Sequence, residues 1–209
     1  MNMKFYMTPG SCTTGIHILL EETEQIFEVY IVNLMEGDQN KPEYLAINPK
    51  AGIPTLVRND GTSLTDFQAI AWWLARQFPR YGLLPDHLDD EVRVLDVLSY
   101  SVGTIHMQGF ARIFTTDKFT PNETNIKWVK QQGTDIINKG FSVINNLLTE
   151  QGYVTDKFSI ADAALFYVEF WAVKTNIELP ENCMKHYQLM LKRPAVRQVL
   201  YEEGYAADL

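Results

Sequence analysis

The spacing of apolar and polar positions changes several times within the first 80 residues. Met3 to Met7 alternates in the manner of a strand, and Thr8-Pro9-Gly10-Ser11 reads as a turn. From Thr13 to about Gln25, apolar residues recur at Ile16, Leu19 and Leu20, the i, i+3, i+4 spacing of an amphipathic helix. Phe27 to Val32 is rich in β-branched and aromatic residues. Pro42 to Ile47 predicts a short helix with proline in its first turn. Thr55 to Asn59 and Thr62 to Thr65 flank Asn59-Asp60-Gly61, a hairpin signal. Asp66 to Phe78 is helical again, with Ala69, Ile70, Trp73 and Leu74 on one face. The order β-α-β-α-β-β-α predicts a parallel pair with a right-handed crossover, followed by an antiparallel hairpin on the same sheet.

Pro79 to Asp90 holds two prolines, a glycine and three aspartates and reads as a linker, with its core at residues 81–90. Everything beyond it is helix or loop. Helices are expected at Asp90 to about Thr115, Asn122 to Glu150, Ser159 to Asn176, Pro180 to Lys192 and Ala195 to Glu203. The fold class is therefore α/β plus all-α: a first domain over residues 1–80 and an all-helical domain over residues 91–209.

Composition narrows the function. The chain has 209 residues, of which 46% are hydrophobic and 21% charged, so it can bury a core and is not a disordered chain. The formal net charge of −8 argues against a general nucleic-acid binder, whose affinity comes from neutralising phosphates. Cys12 and Cys183 make no disulfide framework and no CxxC. The N-terminal residues lack a basic region followed by an apolar run, and no apolar stretch is long enough to span a bilayer. A cytoplasmic protein is expected. The histidines His17, His87, His106 and His186 show no paired metal spacing, there is no P-loop and no GxGxxG, and no metal is expected. His17 reads as an internal helix residue.

The most informative stretch is Asn48-Pro49-Lys50-Ala51-Gly52-Ile53-Pro54-Thr55-Leu56. A cis Pro54 just before a strand would leave the backbone groups of Ile53 free to pair with an extended peptide. From the dipeptide alone a trans proline is the default, because only about 5–6% of X–Pro bonds are cis. The whole sequence, however, carries a strand, then Thr8-Pro9-Gly10-Ser11-Cys12, a helix, Asn-Pro-x-x-Gly-Ile-Pro-Thr-Leu, Leu64-Thr65-Asp66-x-x-Ala69-Ile70, and an all-α domain. In order and spacing this resembles the cytosolic glutathione transferases across essentially the whole chain. It resembles most the bacterial beta class, whose Cys-Ser-x-x-Pro-His-Ile segment is matched by Cys12-Thr13-Thr14-Gly15-Ile16-His17-Ile18, with Ile16 in place of proline.

The resemblance implies a thioredoxin-like first domain that binds glutathione. It implies a cis Pro54, with Ile53 pairing backbone to backbone with the cysteinyl unit of the tripeptide. Cys12 lies at the start of the first helix, where unshielded N–H groups lower thiol pKa values. It is thus a candidate to hold a thiolate, to donate to the glutathione sulfur, or to form a mixed disulfide with it. Ser11 is a hydroxyl rival, and Tyr6 a weaker one. Asp66 matches the family's acid for the γ-glutamyl ammonium. Phe67 departs from the family's serine, but its N–H at a helix start can still meet the glutamyl carboxylate. As plain structure, Asp66 reads as an N-cap. His106, in Ile105-His106-Met107-Gln108-Gly109-Phe110, resembles the beta-class histidine that faces the sulfur, with Met107 where the family often has lysine.

Ser159-Ile160-Ala161-Asp162 is a capping box and belongs to folding. Met35, Met107, Phe110, Phe114, Tyr167 and Trp171 are candidates for an apolar second-substrate pocket or for ordinary core. The function expected is a homodimeric glutathione transferase, with glutathione as co-substrate and a small hydrophobic electrophile as the other partner. The alternatives are a glutathione-dependent thiol-disulfide oxidoreductase acting through a Cys12 mixed disulfide, and a non-catalytic binding protein on the same fold.

Overall fold

A computed structural model describes residues 2–148 and 150–208. The first segment runs β1 (Met3–Met7), α1 (Thr13–Glu22), β2 (Phe27–Ile31), α2 (Pro42–Leu45), β3 (Thr55–Val57), β4 (Ser63–Leu64) and α3 (Phe67–Gln77). The sheet has the order β2-β1-β3-β4. β1 and β2 are parallel, with Phe5 opposite Val29, whereas β1 and β3 are antiparallel, with Phe5 opposite Leu56. β3 and β4 close the sheet as an antiparallel hairpin. The β-α-β-α-β-β-α order is the one the alternation of strand and helix signals predicts, and the arrangement is the thioredoxin-like one that the family resemblance implies.

Alternation explains which side chains enter the core. In β1, Met3, Phe5 and Met7 are buried while Lys4 and Tyr6 are partly exposed. β2 is an edge strand and leaves Val29, Tyr30 and Ile31 exposed. On α3 the buried face is Phe67, Ile70, Ala71, Leu74 and Ala75. Ala69, expected on that face, is exposed.

The helical segment starts earlier than the linker reading allows. A 3-10 turn occupies Pro79–Tyr81, and α4 runs Leu88–Tyr100. Asp89, Asp90 and Glu91 lie in its first turn, where the helix dipole favours acidic groups. The chain then continues as a π-helical stretch, Ser101–Phe110, into α5 (Ala111–Phe114). α6 is Ile126–Asn145, α7 Ile160–Lys174, α8 Glu181–Met190 and α9 Pro194–Glu202. Thr149, inside the expected span of α6, lies outside the described residues. Two glycines let α6 approach the π-helical stretch. A Cβ on Gly140 would lie 2.5 Å from Ile105, and one on Gly133 would lie 2.8 Å from the Gly109 carbonyl.

α7 is buried all round, so its polar residues must be satisfied inside. Ser159 accepts from the Ala161 N–H, and Asp162 Oδ2 takes the Ser159 N–H at 2.8 Å, completing the expected capping box. The same carboxylate reaches further than folding of one helix end requires. Its Oδ1 accepts the Val154 N–H at 2.9 Å and lies 3.2 Å from His186 Nε2, while His186 Nδ1 is 2.7 Å from Glu169. All three side chains are buried.

Packing divides the chain into two units. One holds the residues up to Leu84 together with those from Leu191 onward; the other is Pro85–Met190. α9, expected to belong with the other helices, packs with α1 in the first unit. Arg193 donates to Glu22 at 2.8 Å, and Glu203, just past α9, is buried against α1. Among the described residues, no helix is long and apolar enough to cross a membrane.

Candidate active site

The turn between β1 and α1 is built by hydroxyls and by a distant carboxylate. Thr13 Oγ1 donates to the Thr8 carbonyl at 2.9 Å. Its single proton is thereby used, so in the 2.7 Å Ser11–Thr13 hydroxyl pair Ser11 is the donor. Ser11 Oγ also accepts the Thr13 N–H at 3.1 Å. The Ser11 hydroxyl is thus committed to the helix start. Glu203 Oε2 accepts the Gly10 N–H at 2.8 Å and the Thr14 hydroxyl at 2.7 Å. Gly10 has φ +71°, and a Cβ there would lie 2.1 Å from the Tyr205 hydroxyl oxygen, so both conformation and space demand glycine.

This turn sets Cys12 immediately before α1. Its side chain is buried, and the thiol donates to the Ile53 carbonyl oxygen at 3.6 Å. The sequence predicts a lowered thiol pKa at a helix start; the structure reverses that sign. Burial pushes the Cys12 thiol up to about 12, with backbone contact at the helix start opposing and the Asp66 carboxylate adding to the rise. At this position desolvation outweighs the helix terminus.

The Ile53–Pro54 peptide bond is cis. Asn48 and Tyr44 hold the loop that precedes it. Asn48 Nδ2 donates to the Gly52 carbonyl at 2.8 Å and to Thr55 Oγ1 at 2.9 Å, and the Tyr44 hydroxyl donates to Gly52 at 2.6 Å. Among the described residues, no hydrogen bond engages the Ile53 N–H. A backbone donor is therefore presented beside the Cys12 thiol, before β3 begins.

Asp66 occupies the N-cap position of α3 but makes no side-chain cap bond. Its carboxylate is 63% exposed and, among the described residues, meets only Lys50 Nζ, at 3.6 Å, as an ion pair. The plain capping role is therefore not what its carboxylate does. Phe67 follows as the first residue of α3, with its ring buried. Cys12, Ile53, Pro54, Asp66 and Phe67 all lie in the first unit.

His106 lies in the other unit, on the π-helical stretch. Its Nδ1 is 3.1 Å from the Tyr167 hydroxyl, and its ring stands edge-on to Trp171 with centroids 4.8 Å apart. Burial pushes its pKa down to about 4, so it is a neutral imidazole at pH 7. The candidate apolar side chains divide sharply. Phe110, Tyr167 and Trp171 are buried core, whereas Met35, Met107 and Phe114 are exposed.

Glu203 and Asn48 were not singled out by sequence reasoning. The only sequence signal for Asn48 is its place at the head of the Asn-Pro-x-x-Gly-Ile-Pro run. Glu203 has none, because its partners lie at the other end of the chain.

Comparison with known proteins agrees with this architecture. Residues 10–77 match the family model for the glutathione S-transferase N-terminal domain. Over 207 residues the chain is 35% identical to the glutathione S-transferase GstA of Escherichia coli O157:H7, covering 97% of this chain and 99% of that one. The solved beta class glutathione S-transferase of Sphingomonas chungbukensis superposes with a TM-score of 0.80 at 26% identity, covering 97% of this chain and 99% of that one. A sphingomonad glutathione S-transferase solved in complex with glutathione does so with a TM-score of 0.81 at 26% identity, over 96% and 98% of the two chains. The chain belongs to the glutathione S-transferase family and is, as a member of it, a transferase.

Proposed function

We propose that the protein binds glutathione on its first unit and adds the glutathione thiolate to small hydrophobic electrophiles. The observation that carries this reading is the Cys12 thiol placed 3.6 Å from the Ile53 carbonyl, beside the cis Pro54. The Ile53 backbone pairs with the cysteinyl unit of the tripeptide, in the manner of an added strand. The uncapped Asp66 carboxylate receives the γ-glutamyl ammonium, and the start of α3 at Phe67 receives the glutamyl carboxylate. The bound sulfur then lies within reach of the Cys12 thiol.

In this reading Cys12 works as a neutral donor. With its pKa near 12 it keeps its proton at pH 7 and, when glutathione binds, turns it as a hydrogen bond from the Ile53 carbonyl to the glutathione sulfur. Each unit by which that bond lowers the glutathione thiol pKa is worth 1.36 kcal/mol, so about two units raise the thiolate fraction up to roughly a hundredfold. The thiolate attacks the electrophilic carbon and forms the C–S bond, while the displaced electron pair leaves with the leaving group or moves onto the acceptor. His106, in the other unit, is a neutral imidazole at pH 7, able to donate or accept a hydrogen bond but not to act as a fixed cation. The Ser11 hydroxyl, spent on Thr13, stays structural. The same high pKa weighs against exchange through a Cys12 mixed disulfide, since only a thiolate attacks a disulfide. A homodimer in the cytoplasm is part of the proposal.

The test is calorimetric titration of reduced glutathione into wild type and Cys12→Ser, with mass spectrometry of each after exposure to oxidised glutathione. Binding by both, conjugation to a model aryl halide, and little adduct on the wild type support the proposal. No binding at millimolar glutathione refutes it. A stoichiometric adduct on Cys12 shifts the reading to thiol exchange.

A further inference from the structure

His17 sits in the middle of α1 with its side chain buried, 2% exposed. Its two ring nitrogens have different surroundings. Nδ1 lies 2.9 Å from Glu203 Oε1, and the Glu203 carboxylate is itself buried and fixed by Gly10 and Thr14 through its other oxygen. A carboxylate on Nδ1 holds the proton there and leaves the Nε2 lone pair facing away from it. Among the described residues, Nε2 has no hydrogen-bond partner despite its burial.

Nε2 faces the Glu202 carboxylate, and a second carboxylate, Glu21, lies close by. Glu21 lies one turn along α1, and Glu202 comes from the last turn of α9. One ligand atom from each of His17, Glu21 and Glu202 falls within 4.8 Å of the others. Glu202 Oε2 is 3.3 Å from Nε2, in a geometry that makes no hydrogen bond. Donor atoms about 2.0–2.2 Å from a zinc ion at the tetrahedral angle are about 3.3–3.5 Å apart, so this separation is that of one edge of a zinc site. Glu202 Oε1 accepts from Gln198, which leaves Oε2 turned to the histidine. Glu22 is engaged by Arg193 and takes no part.

We propose that His17, Glu21 and Glu202 bind a divalent cation of the zinc class, with Glu203 as the positioning carboxylate behind the imidazole. One imidazole and two carboxylates suit Zn²⁺ and leave its fourth position to water. The ion bridges α1 to α9. It offsets the mutual repulsion of Glu21 and Glu202, which, after burial, raises the Glu21 pKa. Its role is to tie down the helix that Cys12 opens; it is not a group of the transfer reaction. The spacing is invisible to a motif search because Glu202 is so far along the chain from His17.

The test is titration of metal-free protein with ZnCl2 in a buffer that does not bind zinc, by calorimetry and thermal unfolding, and with CoCl2 by visible absorption. Expected are one saturable zinc per chain and, at about 100-fold excess over Kd, a rise in Tm of about 5 °C or more. Cobalt should give a tetrahedral spectrum without a thiolate charge-transfer band, which separates this site from Cys12. Glu21→Gln with Glu202→Gln should weaken binding by more than the roughly 10–100-fold that a positioning change such as Glu203→Gln costs. Absence of saturable zinc binding, or equal affinity in the double variant, overturns the proposal. Should the double variant fail to fold, nitrogen-15 spectra of wild-type His17 decide. Zinc must shift Nε2 while Nδ1 keeps its proton, and an imidazolium with both nitrogens protonated throughout the titration refutes the site.

Discussion

The thiol of Cys12 and the carbonyl of Ile53 face each other across 3.6 Å. One comes from the helix that follows β1, the other from the loop that enters β3. Their meeting places a weakly acidic S–H beside a backbone segment whose N–H is uncommitted. With its pKa pushed up to about 12, Cys12 holds a thiolate fraction of about 10⁻⁵ at pH 7. Alkylation of Cys12 by iodoacetamide, followed by peptide mass spectrometry, should therefore be slow at pH 7. It should accelerate about tenfold per pH unit through pH 9–10 without a plateau. A rate that levels off at about pH 9.5 would show an ordinary, accessible thiol with a pKa of about 8.5.

Asp66 is exposed, opens α3 and caps nothing. Its carboxylate is therefore free for function at little structural cost. Asp66→Asn should weaken glutathione binding by roughly tenfold to a hundredfold, the value of one charge-assisted hydrogen bond, about 1.5–3 kcal/mol. Its effect on unfolding free energy should stay within about 0.5 kcal/mol. Calorimetry and urea denaturation of the same preparation separate the two. A large loss of stability would restore the capping role.

His186 is held between Glu169 and Asp162 in the core of the helical unit. Burial alone would oppose its protonation, but the two carboxylates outweigh it and push its pKa up to about 10. Because the folded value lies above the ordinary one, the stabilisation is whole below about pH 6.5 and is lost as pH rises through about 10. His186→Phe strands buried carboxylates and should cost about 3–5 kcal/mol at pH 7. The gap between variant and wild type, read from urea midpoints, should narrow between pH 7 and pH 10.5.

Gly10 is required twice over, by φ +71° and by the Tyr205 ring against its Cα. Gly10→Ala should lose about 2–4 kcal/mol, combining left-handed backbone strain with overpacking. Adding Tyr205→Leu should return the packing part but not the backbone part. A double variant no better than the single one would mean the ring contact carries no cost.

Much of this was legible along the chain because the signals are local. The βαβαββα order followed from alternation and helical spacing, and the capping box at Ser159 and Asp162 formed as spaced. What was not legible depends on burial or on distant residues. The start of α1 predicts an acidic thiol at Cys12, yet burial in the folded protein reverses the sign. Asp66 carries every mark of an N-cap, and only the rotamer reveals that its carboxylate points elsewhere. The π-helical stretch around His106 packs closely on α6 at Gly133 and Gly140, a contact that no periodicity along one helix records. Glu203 meets Thr14 and His17 only after the chain has folded back from the helical unit.

That last return has a consequence for the order of events during synthesis. A growing chain that has reached residue 150 already carries the whole sheet and α1, yet His17, Thr14 and the Gly10 amide still lack the carboxylate that pairs them. The first unit can condense around its sheet on the ribosome. The turn that presents Cys12 waits for residue 203, so the candidate site is completed only after the whole helical unit has been synthesised.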